Sequence, residues 1–182
     1  MSDDAVARVA ALAAASEPAF GETRVLGIDG RSGAGKSTFA RAVSARLGAP
    51  LIQVESLYEG WEGLDRGIEL LADEVLAPLA AGGVGRLRHY DWERGDWGGA
   101  VAVHPAPVLV VEGVGVGAQR VAPYLSMLVW LEAPVALRRA RALARDGETY
   151  RPYWDVWAAQ EEALLAREAI ADRATLVIRT SG

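Results

Sequence analysis

The stretch Gly27-Ile-Asp-Gly-Arg-Ser-Gly-Ala-Gly-Lys-Ser-Thr38 decides how this chain is read. Within it, Gly30-x4-Gly35-Lys36-Ser37 is a complete P-loop pattern. Such a loop turns backbone N–H groups toward a phosphate, and the helix that follows aims its positive end at the same anion. Lys36 is the only lysine among 182 residues. A chain that otherwise uses arginine keeps one compact ammonium where a phosphate-binding loop needs a point charge. The same pattern makes Ser37 a magnesium ligand. Gly30, Ser32, Gly33, Ala34, Gly35, Lys36, Ser37 and Thr38 are then the nucleotide-binding residues, with ATP and Mg²⁺ as the implied cofactors.

The flanks agree with this reading. Residues 23–29 form an apolar run suited to a buried strand. Phe39, Val43 and Leu47 recur at helical spacing before Gly48. Further along, strand and helix alternate. Strands are expected at 50–54, 108–111, 127–131 and 176–178. Helices are expected at 64–80, 134–145 and 152–169. Residues 86–92 form a short extended piece leading into a glycine-rich loop. The expected fold is α/β: a three-layer α/β/α arrangement around about five parallel strands, with ligands at the strands' carboxyl ends. A single domain over 1–182 is expected, with an N-terminal helix within 1–20.

Composition narrows the function classes. The net charge is −5, with no cysteine and two histidines. This disfavours a nucleic-acid face, a disulfide framework and a thiolate or histidine metal site. No apolar run nears the ~20 residues needed to span a bilayer, and the N-terminus lacks the pattern of a secretory signal. A cytoplasmic protein with no membrane partner is the expectation. The absence of asparagine and of a second lysine removes the Asn-Lys-x-Asp motif of a guanine-nucleotide switch.

Several side chains fall at the predicted strand ends. Glu112, followed by Gly113, is placed to hold magnesium; a loop-capping acid is the alternative. Glu55 is placed to take the proton of an acceptor hydroxyl; a surface acid is the alternative. Arg138, Arg141 and Arg145 share a helix face before Gly147 and Arg151, as in a lid over 138–155 that closes on transferred phosphate. A solvated face paired with acids at 161, 162 and 168 is the alternative. Tyr58, Trp61, Tyr90, Trp92 and Trp97 could wall an acceptor pocket, whereas Trp154 and Trp157 suit ordinary packing.

Taken together, these residues resemble the uridine kinase and phosphoribulokinase branch of the P-loop kinases. The P-loop is close to that branch's version. Val54-Glu-Ser-Leu-Tyr58 resembles the segment that carries the catalytic aspartate and an acceptor-contacting tyrosine, with glutamate here in the aspartate's place. Tyr90-Asp91-Trp92 resembles part of the nucleoside pocket, and Val111-Glu112-Gly113 the magnesium-holding turn. Asp65 stands nearest to a further acceptor-binding acid of the family. Ala171-Asp172 resembles the segment beside adenine. The resemblance implies a nucleoside- or nucleotide-kinase-like fold and an ATP- and Mg²⁺-dependent kinase of a small hydroxylic substrate. Lys36, Glu55, Arg141 and Arg145 would be catalytic, Arg151 would lie on nucleotide, and a homo-oligomer would be possible. The rivals are a kinase of a sugar, vitamin or antibiotic hydroxyl, and a nucleotide-binding ATPase or switch with no acceptor.

Overall fold

A computed structural model describes residues 2–180, with the side chains of residues 145, 146 and 148–150 excepted. Helix α1 (Asp3–Ala15) precedes β1 (Arg24–Asp29), the P-loop and α2 (Lys36–Leu47). Then come β2 (Leu51–Gln53), two short 3₁₀ turns, and a helix α3 over 64–80 whose middle, Leu71–Leu76, widens into π winding. Strands β3 (Gly85–Asp91) and β4 (Asp96–Val103) precede β5 (Val108–Glu112) and β6 (Met127–Glu132). Helix α4 (Val135–Tyr150), helix α5 (Trp154–Glu168) and β7 (Leu176–Arg179) complete the chain.

Five strands form one parallel sheet in the order β2-β5-β1-β6-β7. The expected α/β sheet is present, and its strands alternate between two cores. Val25, Leu109, Val111, Leu128 and Trp130 face the layer built from α3 and α5. Leu26, Ile28, Val110, Val129 and Leu131 face α1 and α2. Both faces are buried, which is why these strands read as continuous apolar runs.

One region differs from the sequence expectation. Residues 86–92 are not an isolated extended piece before a loop. They form one arm of an antiparallel hairpin whose second strand is β4. The tip is a tight turn: Asp91 Oδ1 accepts the N–H groups of Glu93 and Arg94, and Gly95 takes φ +66°. Strand β4 runs through Gly98 and Gly99 and is mostly exposed, so it lacks the buried alternation that marks a strand in sequence.

Candidate active site

The P-loop leaves the end of β1 and enters α2 through three glycines with positive φ, Gly30 at +146°, Gly33 at +78° and Gly35 at +96°. A side chain at Gly33 would run into the backbone of Arg138 at the start of α4. Gly33→Ala is therefore both strained and crowded. We expect it to weaken Mg-ATP binding by on the order of tenfold or more, read by calorimetry, with far-UV circular dichroism unchanged. Lys36 is 8% exposed, and its Nζ donates to the Arg31 carbonyl at 3.3 Å, which holds the ammonium inside the loop.

The loop borders a cleft. Ser32, Gly33, Lys36 and Ser37 contribute to its lining from the loop, Glu112 and Gly113 from the end of β5, and Glu55, Tyr58, Trp61, Trp92 and Trp157 complete it. Glu112 is 2% exposed and accepts the Gln53 side-chain amide at 2.9 Å. That bond from the end of β2 orients the carboxylate at the end of β5. A Cβ on Gly113 would approach Val54 and the Tyr58 hydroxyl, so only glycine leaves this passage open. Tyr58 donates its hydroxyl to the Val114 carbonyl at 2.8 Å. Burial, with acids around it, pushes its phenol well above the ordinary range. Tyr58 is thus a fixed neutral wall.

The hard oxygen donors of Ser37 and Glu112 fit magnesium, which binds through few carboxylates and keeps its waters and phosphates. Among the described residues no group of three His, Cys, Asp or Glu side chains that could hold a metal ion is found.

The other expected residues fall in different places. Gly30 and Ala34 are buried in the loop, and the Ala34 carbonyl accepts the Thr180 hydroxyl. Thr38 is exposed on the first turn of α2. Tyr90 does not line the cleft; it packs edge-on against Trp92 and Trp97, with centroids 5.7 and 5.3 Å away, and backs the wall. Asp65 also lies outside the cleft, because its place on α3 points it to an exposed pair with Arg167 at 2.8 Å. The arginine face divides. Arg138 is 4% exposed and donates to the Ala133 and Ser32 carbonyls, so it clamps the loop and is no part of a mobile surface. Arg141 reaches the Thr180 hydroxyl at 3.1 Å and does not line the cleft. Arg151 is exposed beyond Gly147, where helix α4 kinks. The side chain of Arg145 lies outside the described residues.

Two acids have roles beyond those expected from the sequence, where Glu161 stood only as a partner for the arginine face. Asp29 is fully buried at the end of β1 and accepts the N–H groups of Gly30, Gly115 and Gly117. It ties the loop's origin to the segment after Glu112. Its signal was an acid closing an apolar strand. Burial pushes its carboxyl up to about 6, opposed by the three amides and by Lys36. The folded-state value lies above the unfolded one, so the stability it contributes is complete below the unfolded value and is lost as pH rises toward 6. Between pH 6 and pH 5 the wild type should gain about 1 kcal/mol of unfolding free energy relative to Asp29→Asn. Urea titrations of both proteins check this; a pH-independent difference would show that Asp29 ionises without penalty. The second acid, Glu161, is 1% exposed and touches the loop from α5. Trp92 adds a further feature: its indole N–H is buried with no partner among the described groups, a donor left for a ligand.

No family model matches the chain. It is 32% identical over 130 residues to cytidylate kinase of Pseudomonas aeruginosa, covering 70% of this chain and 57% of that protein. It is 48% identical over 59 residues to cytidylate kinase of Methylococcus capsulatus, covering 31% of this chain and 27% of the relative. The chain thus spans between about an eighth and little more than half of the length of the curated relatives it matches. Among solved structures, a possible uridine kinase from Bacillus stearothermophilus superposes with a TM-score of 0.71 at 22% identity, covering 96% of this chain and 97% of that one. The fold is that of the P-loop kinases.

Proposed function

We propose that this chain is a kinase that moves the γ-phosphoryl group of ATP to a hydroxyl of a small molecule, as uridine kinases do. One observation carries the reading: the P-loop residues, the carboxylate of Glu55 and an aromatic wall line one cleft. The P-loop amides and Lys36 hold the phosphates. Ser37 and Glu112 would hold Mg²⁺, which supplies charge neutralisation when bound. Glu55 orients the acceptor hydroxyl and takes its proton as the new O–P bond forms and the bond to ADP breaks. Trp61, itself stacked on Tyr153, and Trp92 offer an aromatic wall beside a ring, and the Trp92 N–H offers a donor to a polar atom on it.

The cytidylate kinase likeness raises a second acceptor class, a nucleoside monophosphate. An acceptor phosphate needs its own cations. Among the described residues lining the cleft Lys36 is the only base, and the other charged groups are Glu55 and Glu112. That lining favours an uncharged hydroxylic acceptor. Residues 138–155 remain the proposed lid, with Arg141, Arg145 and Arg151 closing toward transferred phosphate and Arg138 as its fixed root. No helix among the described residues is long and apolar enough to cross a membrane. The test is a panel of nucleosides, nucleoside monophosphates, sugars and vitamin precursors incubated with Mg-ATP, read by mass spectrometry for one added phosphoryl group. Phosphorylation of the monophosphates alone would reverse the acceptor assignment. ATP turnover unchanged by every acceptor would favour an acceptor-free ATPase.

A further inference from the structure

Ser32, at the apex of the P-loop, is gripped at two atoms by one helix. Its backbone N–H donates to Glu161 Oε1 at 2.7 Å. Its Oγ accepts the Trp157 indole N–H at 2.9 Å, and the same N–H also lies 3.0 Å from Glu161 Oε1. Trp157 and Glu161 sit four residues apart on one face of α5, so both reach the same point. The Glu161 charge is offset by Arg31 at 3.4 Å and Arg138 at 3.9 Å, both toward its other oxygen. A carboxylate this buried is retained only where its partners hold it in place.

Trp157 also belongs to the aromatic wall of the cleft. Its ring lies 5.0 Å from that of Tyr58 and 6.5 Å from that of Trp61. One side chain therefore touches the phosphate loop through its nitrogen and the aromatic wall through its ring.

We propose that Trp157 and Glu161 are positioning residues that set the apex of the P-loop for nucleotide and join it to the aromatic wall. Ser32 then acts as the loop's anchor. Its amide is committed to Glu161, and the phosphates are left to the amides that follow. Packing alone would make Trp157 replaceable by any large ring. The bifurcated N–H predicts otherwise. The proposal rests on nucleotide occupying the loop and not on any acceptor, so it stands or falls apart from the identity of the phosphorylated molecule.

The test is a double-mutant cycle on the full chain, with Mg-ADP as probe and calorimetry as readout. Trp157→Phe keeps a ring and removes the N–H; Ser32→Ala removes the hydroxyl that accepts it. Ser32→Ala should weaken Mg-ADP by about fivefold and Trp157→Phe, which also loses the bond to Glu161, by about fivefold to tenfold; the double variant should bind no more weakly than Trp157→Phe, because the Ser32 bond is already gone in it. Multiplying effects, or no effect in either single variant, would overturn the proposal. A loss of fold would appear as a lowered melting temperature without ligand, which the cycle compares across all four proteins. Glu161→Gln adds a test by sign. If Glu161 acted only through its charge, neutralising it would tighten an anionic ligand. If it positions Ser32, the glutamine amide meets Arg31 and Arg138 donor to donor, the grip loosens, and Mg-ADP binds more weakly. Tighter binding by Glu161→Gln would sink the positioning role. A wild type that does not bind Mg-ADP at all would instead overturn the nucleotide assignment of the loop.

Discussion

Lys36→Ala is expected to abolish phosphoryl transfer while leaving the fold intact. The loss should be at least on the order of 10²–10³ in rate, the range for removing one preorganised charge-stabilising donor. The side chain is buried against the loop, and among the described residues its one hydrogen bond goes to the Arg31 carbonyl. Deleting it removes one weak bond and the ammonium that would follow charge onto the β- and γ-phosphates. Lys36→Arg should fail as well, since a planar guanidinium cannot occupy a loop closed around a point donor. Lys36 also lowers the Asp29 carboxyl, so its removal makes ionised Asp29 more costly. The variant should thus lose some stability at pH 7 and recover it near pH 5, where Asp29 is protonated. Measuring kcat, Mg-ADP affinity and urea stability at both values separates these effects. Near-wild-type turnover by Lys36→Arg would refute the assignment of the loop.

How much of this could be read in advance depends on where the information lies along the chain. The P-loop was legible because its spacing, its glycines and its flanking strand and helix are local. The parallel sheet was legible because strands buried on both faces are apolar throughout. Strand β4 was not, since an exposed strand through Gly98-Gly99 carries no burial pattern. The arginine face shows the limit most clearly. Spacing put Arg138, Arg141 and Arg145 together, but spacing cannot tell which neighbour a face meets. The approach of Gly33 to the Arg138 backbone converts that residue from a candidate lid group into a clamp. Asp65 failed for the same reason, because its partner Arg167 is distant in sequence. Glu161 did leave a signal. Trp154, Trp157 and Leu164 mark the buried stripe of α5, and Glu161 falls on that stripe. A charge on an apolar face is an expensive placement and points to a buried partner.

The second large effect is expected at Glu55. It sits in the 3₁₀ turn after β2, exposed at the cleft, and among the described residues no hydrogen bond or ion pair holds its side chain. Its replacement should therefore leave stability within about 0.5 kcal/mol of wild type, as for a surface substitution away from structural contacts. That makes a loss of activity readable as chemistry. Glu55→Gln keeps the shape and removes the capacity to take a proton. It should bind Mg-ATP as wild type does and lose on the order of 10²–10⁴ in transfer to the acceptor. Glu55→Asp is the sharper variant, because it restores the side chain that the resemblance to uridine kinases would place there. The carboxylate then retreats by one methylene from a cleft whose wall is fixed by Tyr58 and its bond to Val114. An acceptor held against that wall no longer meets the base within hydrogen-bond reach, and kcat should fall more than KM rises. Transfer by Glu55→Gln at the wild-type rate would remove Glu55 from the mechanism. Glu112 would then be the remaining acid of the cleft lining to test.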